Sequence, residues 1–388
     1  MLLRIKPSHP IVVDDKRNLS IGEIPGLARI VKDAPAWLLE LLNLLDGTAT
    51  LEEIYSTLLS RGHFISQEVF DQAIKEIRRA SFLENIEESS KILTPQEQEL
   101  YDRQMLYFSL VEQNEKPGSY YQEKLKQQHV FIFGVGGGGT WVSLNLALCG
   151  FGEITLVDGD NVEFSNLNRQ VLYTNENLGM PKVKAAEEAL KKINPNIKVN
   201  IINKFLRSDG ASLEQLMLSL EKLISPNCTL IVLAWENLSY FQENTAEEAI
   251  HTLAHHLKIP VIEIGADPLS VSVGPLYVND HHSTCFACVK SQTQQTYYSP
   301  DKTVQALQRA RLKDGRQNYK PLNFYQHAPS LSIAGGLVVD QLIKFVTSCE
   351  APLIIGKRYQ LSLQSYEMNI EHLQCGPSCS QFLRKRSL

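Results

Sequence analysis

The chain has 388 residues, enough for two or three domains, and at 43% apolar and 21% charged it can bury a real core. A net charge of −5 speaks against a general nucleic-acid binder, which carries a basic face, and seven cysteines, an odd number, speak against a disulfide scaffold. No uninterrupted apolar run approaches the roughly 20 residues that span a bilayer, and the start MLLRIKPSHP lacks the apolar core of a signal peptide, so a cytoplasmic protein with no membrane partner is expected.

Residues 1–88 read as a separate small module. RIKPSHPIVVDD and NLSIGEIPGLARIV predict short strands broken by Pro, Asp and Gly turns. Three helices follow. The first carries Trp37, Leu38, Leu41, Leu42 and Leu45 on one face and stops at Gly47. The second opens at Thr50, with Glu53 as the other half of a capping box, and stops at Gly62. The third begins at Ser66 and turns Val69, Phe70, Ala73, Ile74 and Ile77 inward. Strands followed by three short helices predict a winged-helix-like α+β module. The polar run ENIEESSKILTPQEQEL, residues 84–100, reads as linker and the start of a second domain, 89–388.

From Val130 strand and helix alternate. VFIFGV, EITLVDGD, KVNIINK, TLIVLAW and PVIEIGA read as strands, with amphipathic helical stretches between them. That spacing predicts an α/β fold: a Rossmann-like, mostly parallel sheet with helices on both faces.

Gly134, Gly136 and Gly139 fit G-x-G-x-x-G directly after the first of these strands and open a helix. Such a turn lets backbone approach phosphate closely at a helix N-terminus. Asp158 ends the next strand about 20 residues on, the place for a carboxylate that binds ribose hydroxyls. These features alone suit a dehydrogenase. The loop that follows, DGDNVEFSNLNRQ, sets Asp158, Asp160, Asn166 and Arg169 at the carboxyl end of the sheet, and a nicotinamide site has little use for Asn and Arg there. A triphosphate does, because Arg grips phosphate oxygens in a fork and Asn orients them. Lys182 at the next helix start is a second cation suited to the same phosphates.

The run GVGGGG, LVDGDNVEFSNLNRQ, LGMPKVKAA and INPNIKV resembles the ThiF/MoeB and ubiquitin-activating adenylating enzymes over about residues 96–380. The resemblance implies that ATP activates a carboxylate as an acyl-adenylate with loss of pyrophosphate. It implies Asp158 on the ribose, Asn166, Arg169 and Lys182 on the phosphates, and Arg103, within YDRQM, as an arginine finger reaching across a homodimer interface. The family often has an Asp after the fourth strand that helps hold Mg2+. Here VLAWENL sets Glu236 in that place, an oxygen ligand one methylene longer.

Cys285-Phe-Ala-Cys288 and Cys375-Gly-Pro-Ser-Cys379 are two close pairs about 90 residues apart, suited to a structural Zn2+ held by four thiolates. The rival, a redox CxxC, is disfavoured because the pair is not expected to open a helix after a strand. Cys149, Cys228 and Cys349 stand in or beside apolar stretches and read as buried structural thiols, so no enzyme thioester is expected.

The N-terminal module, LLNLLDGTATLEEIYSTLLSRGHFISQEVFDQAIKEI, resembles the peptide-recognition domain of enzymes that modify ribosomally made peptides. In those a leader peptide adds a strand to a sheet edge. A DNA-binding winged helix is disfavoured: Lys75, Arg78 and Arg79 are balanced by Glu68, Asp71 and Glu76. VGPLYVNDHHSTCFACVK and FYQHAPSLSIAGGLVVDQLIKFV, which include His281, His282 and His327, also resemble the family branch acting in microcin C and pantocin A biosynthesis. The resemblance implies adenylation of a carboxyl or amide on a precursor peptide, followed by intramolecular cyclisation. The alternatives are activation of a ubiquitin-like sulfur carrier for thiamine or molybdopterin pathways, and a non-catalytic peptide-binding scaffold.

Overall fold

A computed structural model describes residues 1–206, 210–234, 245–266, 269–279, 283–297, 299–314, 326–376 and 379. Contacts divide the chain into two units, one of Met1–Lys126 with Lys344–Ala351, the other of Gln127–Ile343 with Pro352–Leu388.

The first unit opens with the strands β1 (Leu3–Ile5), β2 (Ile11–Val13), β3 (Leu19–Ile21) and β4 (Arg29–Val31), then the helices α1 (Ala36–Leu44), α2 (Leu51–Ser60) and α3 (Gln67–Arg79), then β5 (Leu83–Asn85). β2, β3 and β4 form an antiparallel meander with β3 central, and β1 pairs antiparallel with β5. The expected caps are present. The Thr50 hydroxyl accepts from the Glu53 N–H while Glu53 accepts from the Thr50 N–H, and Ser66 caps α3. These caps satisfy backbone N–H groups that no helical carbonyl reaches.

The core of this module gathers Leu41, Leu42 and Leu45 of the first helical segment with Ile54, Leu58, Phe70, Ile74 and Ile77, all buried, while Trp37, Leu38 and Ala73 pack partly buried against them. Val69, expected inward, is 45% exposed. On α3 the buried stripe is Phe70, Ile74 and Ile77, spaced four and three apart, and Val69 lies one step round the helix toward solvent.

The remainder of the unit is helical: α4 (Pro95–Leu100), α5 (Asp102–Val111) and α6 (Gly118–Lys126). Lys6 and Glu112 form an ion pair at 2.5 Å with both side chains fully buried, and Tyr121 Oη donates to the other Glu112 oxygen at 3.2 Å. The pair survives burial because both ions are further satisfied, Lys6 Nζ also donating to the Glu112 carbonyl at 2.8 Å.

The second unit is built on one eight-stranded sheet. Its strands are β6 (His129–Phe133), β7 (Glu153–Asp158), β8 (Lys198–Asn203), β9 (Leu230–Leu233), β10 (Val261–Ala266), β11 (Ser270–Tyr277), β12 (Lys357–Ser362) and β13 (Met368–His372). Spatial order is β13-β12-β11-β10-β9-β6-β7-β8. The five strands from β8 to β10 run parallel, and β11, β12 and β13 extend the sheet antiparallel. The helices α7 (Gly137–Leu148), α8 (Lys182–Ile193), α9 (Leu213–Glu221) and α10 (Ala246–Leu257) connect the parallel strands.

β6 and β9 are buried at every position, so both faces of the central sheet are covered, as their unbroken apolar runs require. Chain order reverses between β6 and β9, which creates a crevice beyond their carboxyl ends. Three further helices are α11 (Phe286–Tyr297), α12 (Lys302–Asp314) and α13 (Ala328–Thr347). By length and composition α13 is apolar enough to cross a membrane, but Asp340, Gln341 and Lys344 interrupt its apolar run and half of that stretch is buried in the protein.

Candidate functional site

The glycine turn lies at the mouth of that crevice, and its three glycines have three different reasons to be glycine. Gly134 holds φ +93°, closed to most side chains. A Cβ on Gly139 would stand 1.9 Å from the Gly134 carbonyl oxygen, so the helix packs on the strand only without one. A Cβ on Gly136 would meet nothing nearer than Gln170 Nε2 at 3.8 Å. Packing therefore does not demand the second glycine, and the open space before it is of the kind that close approach of a phosphate needs. Gly136 also caps α7 without any side-chain hydrogen bond, which leaves the N–H groups of the first turn facing outward.

This contrast predicts opposite outcomes for two small substitutions. Gly139→Ala is expected to lower the thermal unfolding temperature. Gly136→Ala should change it little, a cost of at most about 1 kcal/mol at a helix cap, while raising the KM for ATP. Thermal unfolding and steady-state kinetics of both variants check this.

Asp158 ends β7, and its carboxylate is held in place: Oδ2 accepts from the Val135 N–H at 2.7 Å and Oδ1 from the Asp160 N–H at 2.8 Å. Lys182 is the first residue of α8, only 7% exposed, with Nζ 2.9 Å from Asp160 Oδ2. Asn166 is buried and its Oδ1 accepts from the Glu163 N–H at 3.0 Å, closing the loop before Arg169. Arg169 is half-buried. Its Nη1 donates to the Ser165 carbonyl at 2.6 Å and its Nε to Gln326 Oε1 at 3.1 Å.

Asp158, Asp160, Asn166, Arg169 and Lys182 thus lie on the stretch from the end of β7 to the start of α8, with Asp158 tied to the glycine turn and Lys182 paired with Asp160. Glu236 lies outside the described residues, as do His281 and His282. Arg103, on α5 of the first unit, is 92% exposed at its side chain and among the described residues reaches only its neighbour Asp102, at 3.6 Å.

Sequence reasoning missed the residues that brace this loop. Tyr173 is buried and donates its hydroxyl to the Val135 carbonyl at 2.6 Å, pinning the glycine turn. Burial, then the charges of Asp158 and Asp160, push its phenol well up, so it stays a donor. Trp141 Nε1 donates to the Arg169 carbonyl at 3.2 Å. Neither has a spacing signal, because each acts through a fold contact.

The two cysteine pairs converge. Cys285 immediately precedes α11, Cys288 lies in its first turn, and Cys375 and Cys379 follow β13. The four sulfurs all lie within 4.8 Å of one another, and Cys285 and Cys379 are 3.7 Å apart. A tetrahedral ion with bonds of about 2.3 Å sets its sulfurs roughly 3.8 Å apart, so the donor set fits Zn2+. Burial pushes the Cys285 and Cys288 thiols up. The first pair does open a helix, contrary to the sequence expectation. What separates it from a redox pair is the arrival of two more thiols. Of the other cysteines, Cys228 and Cys349 are buried and Cys149 is half-buried. Burial pushes Cys149 to about 11 and Cys228 to about 12, and raises Cys349, so none is primed as a thiolate.

Comparison with known proteins gives two domain matches. Residues 101–381 match the ThiF family and residues 8–66 match the PaaA-like, N-terminal domain. The chain is 37% identical to PaaA in its crystal structure, covering 95% of this chain and 99% of that one with a TM-score of 0.70. E. coli MccB, solved with AMPCPP and MccA, has the same fold at 21% identity, with coverage of 98% and 99% and a TM-score of 0.71. Among curated sequences, a molybdopterin-synthase adenylyltransferase of Haemophilus influenzae is 37% identical over 143 residues, 36% of this chain and 51% of that protein. The heterocyst protein HesA of Trichormus variabilis is 39% identical over 118 residues, 30% of this chain and 42% of that protein. The chain therefore spans about half the length of these curated relatives.

Proposed function

Because the chain belongs to the ThiF family, whose domain covers residues 101–381, we propose that it is an ATP-dependent adenylyltransferase of peptide natural-product biosynthesis, acting in the cytoplasm on a carboxyl or amide group of a ribosomally made precursor peptide. The observation that carries this reading is the fusion. One chain joins a ThiF domain to a PaaA-like N-terminal domain, and it is 37% identical to PaaA across nearly all of both.

In this reading residues 1–88 hold the leader and residues 89–388 do the chemistry. β4 offers an edge whose Ile30 is 70% exposed, suited to strand addition by a leader. A groove of about 580 Å3 between α2 and α3, lined by Leu51, Tyr55, Phe70, Ile74 and Arg78, offers room for its side chains.

ATP enters with its phosphates on the N-terminus of α7 and its ribose on Asp158. Lys182 exchanges Asp160 for a phosphate oxygen, and Arg169 and Asn166 orient the chain of phosphates. A carboxylate oxygen of the peptide attacks the α-phosphorus, the bond to pyrophosphate breaks, and the acyl group is left joined to AMP. Arg103 of a second copy in the homodimer adds a guanidinium to the developing charge. Glu236 would offer Mg2+ a carboxylate of the type it takes, and the ion would supply neutralising charge to the phosphates. A nitrogen of the peptide itself then attacks the acyl carbon and AMP leaves, so the peptide loses one water in all.

The similarity to molybdopterin-synthase adenylyltransferases supports a second reading, activation of a sulfur carrier, for the nucleotide-binding part alone. It leaves the N-terminal domain without a task. The test supplies Mg-ATP with leader-bearing peptides whose cores contain Asn, Asp or Glu, and separately with a carrier protein ending in Gly-Gly, following pyrophosphate and peptide mass together. Peptide-dependent pyrophosphate with loss of water or gain of a nucleotide is expected. Release that depends on the carrier alone overturns the peptide assignment, and release with neither overturns the enzyme assignment.

A further inference from the structure

A second cluster of metal-ligating side chains lies in the sheet unit, outside both the nucleotide site and the four cysteines. Glu247 and His251 are one turn apart on α10, and Glu263 stands in the middle of β10. Their donor atoms all lie within 4.8 Å of one another. All three are buried, at 3%, 6% and 6% exposure. Charged side chains are almost never so buried unless paired. His251 Nε2 and Glu263 Oε1 are paired at 2.8 Å, but both oxygens of Glu247 are buried with no hydrogen-bond partner among the described residues.

We propose that Glu247, His251 and Glu263 form a binding site for a divalent first-row metal ion. Leaving a carboxylate buried and unpaired costs several kcal/mol, so its site needs a counter-charge. Lys290 Nζ, on Glu248 at 3.1 Å, is near enough for its charge to act on Glu247, but neither Glu247 oxygen accepts a hydrogen bond among the described residues. Two carboxylates and a neutral imidazole balance one dication, and this mix of hard oxygen and borderline nitrogen suits Mn2+, Fe2+ or Zn2+.

The imidazole is also held for the task. His251 stacks on Phe286 with ring centroids 4.3 Å apart and meets Tyr277 edge-on at 4.5 Å. A cavity of about 90 Å3, lined by His251, Tyr277, Thr284 and Phe286 and also by Cys285 and Cys375, reaches the cluster at His251. Thr284 Oγ1, on that cavity, is likewise buried with no partner among the described residues.

The test loads the full-length protein with Zn2+ at the cysteines, omits nucleotide and titrates with MnCl2, following free Mn2+ by electron paramagnetic resonance. A four-thiolate site prefers Zn2+, so Mn2+ reports on oxygen and nitrogen donors. One Mn2+ bound per chain is expected, with affinity falling about tenfold or more in Glu247→Gln and in Glu263→Gln. No uptake by the unsubstituted protein overturns the site. So does unchanged uptake by whichever of the two variants retains the parent's thermal unfolding, because the ion is then elsewhere.

Discussion

Lys182→Ala is expected to lower peptide-dependent pyrophosphate release by about 10²-fold or more, and Arg169→Ala to do the same, while leader-peptide affinity stays unchanged. The size follows from what each side chain faces. Removing one pre-placed donor from a developing oxyanion costs about 10²–10³ in rate. Lys182 is nearly buried, so its ammonium acts in a medium that screens it poorly. It also neutralises Asp160, 2.9 Å away. Truncation therefore does two things at once: it takes a cation from the phosphates and leaves a carboxylate facing them. Asp160→Asn in the Lys182→Ala background isolates the second effect, and it should restore part of the loss if repulsion contributes. Rapid-quench measurement of pyrophosphate and a fluorescence titration with labelled leader separate chemistry from peptide capture. Loss of both functions together would refute the division of labour between residues 1–88 and 89–388.

Legibility in the sequence followed the strength of the physical signal. The parallel strands were readable because strands buried on both faces must be apolar throughout, as VFIF and LIVL are. The capping box of Thr50 and Glu53 was readable because its two hydrogen bonds fix a spacing of three. β11, β12 and β13 were not read as strands. KRYQLS and MNIEH lie half-exposed at one side of the sheet and carry neither an apolar run nor clean alternation. At the site, Gly134, Gly139, Asp158 and Lys182 announce themselves by motif, and the four cysteines by pairing. Tyr173 does not, since one hydroxyl on one carbonyl across 38 residues leaves no periodic trace. Glu247 and Glu263 were hidden in the opposite way. Each sits in an amphipathic or apolar segment where a single carboxylate reads as an exposed position, and only the fold shows it buried beside its partner.

If the four cysteines hold the Zn2+ that their spacing fits, Cys379→Ser should release it and lower the unfolding temperature by about 10 °C or more, since roughly 2–4 °C accompany each kcal/mol in a unit of this size. Structural zinc in isolated finger peptides contributes about 10–16 kcal/mol; here the sheet core remains, so only part of that is at stake. The vulnerable part is the outer edge. β13 keeps four of its five residues exposed, and Met368 and Ile370 are 48% and 44% exposed. Of the segment that follows, Leu373 is buried against the core that also holds Phe286 and Val289 of α11. The four thiolates close the same junction, binding the start of α11 to the chain after β13. With three thiolates a bound Zn2+ would lose its closed shell, and both segments would lose the cross-link it makes. Cys149→Ser, at a half-buried lone thiol, should leave metal content untouched. Elemental analysis and thermal unfolding of both variants decide the matter. If Cys379→Ser keeps its zinc and its unfolding temperature, the convergence of the two cysteine pairs is not a metal centre.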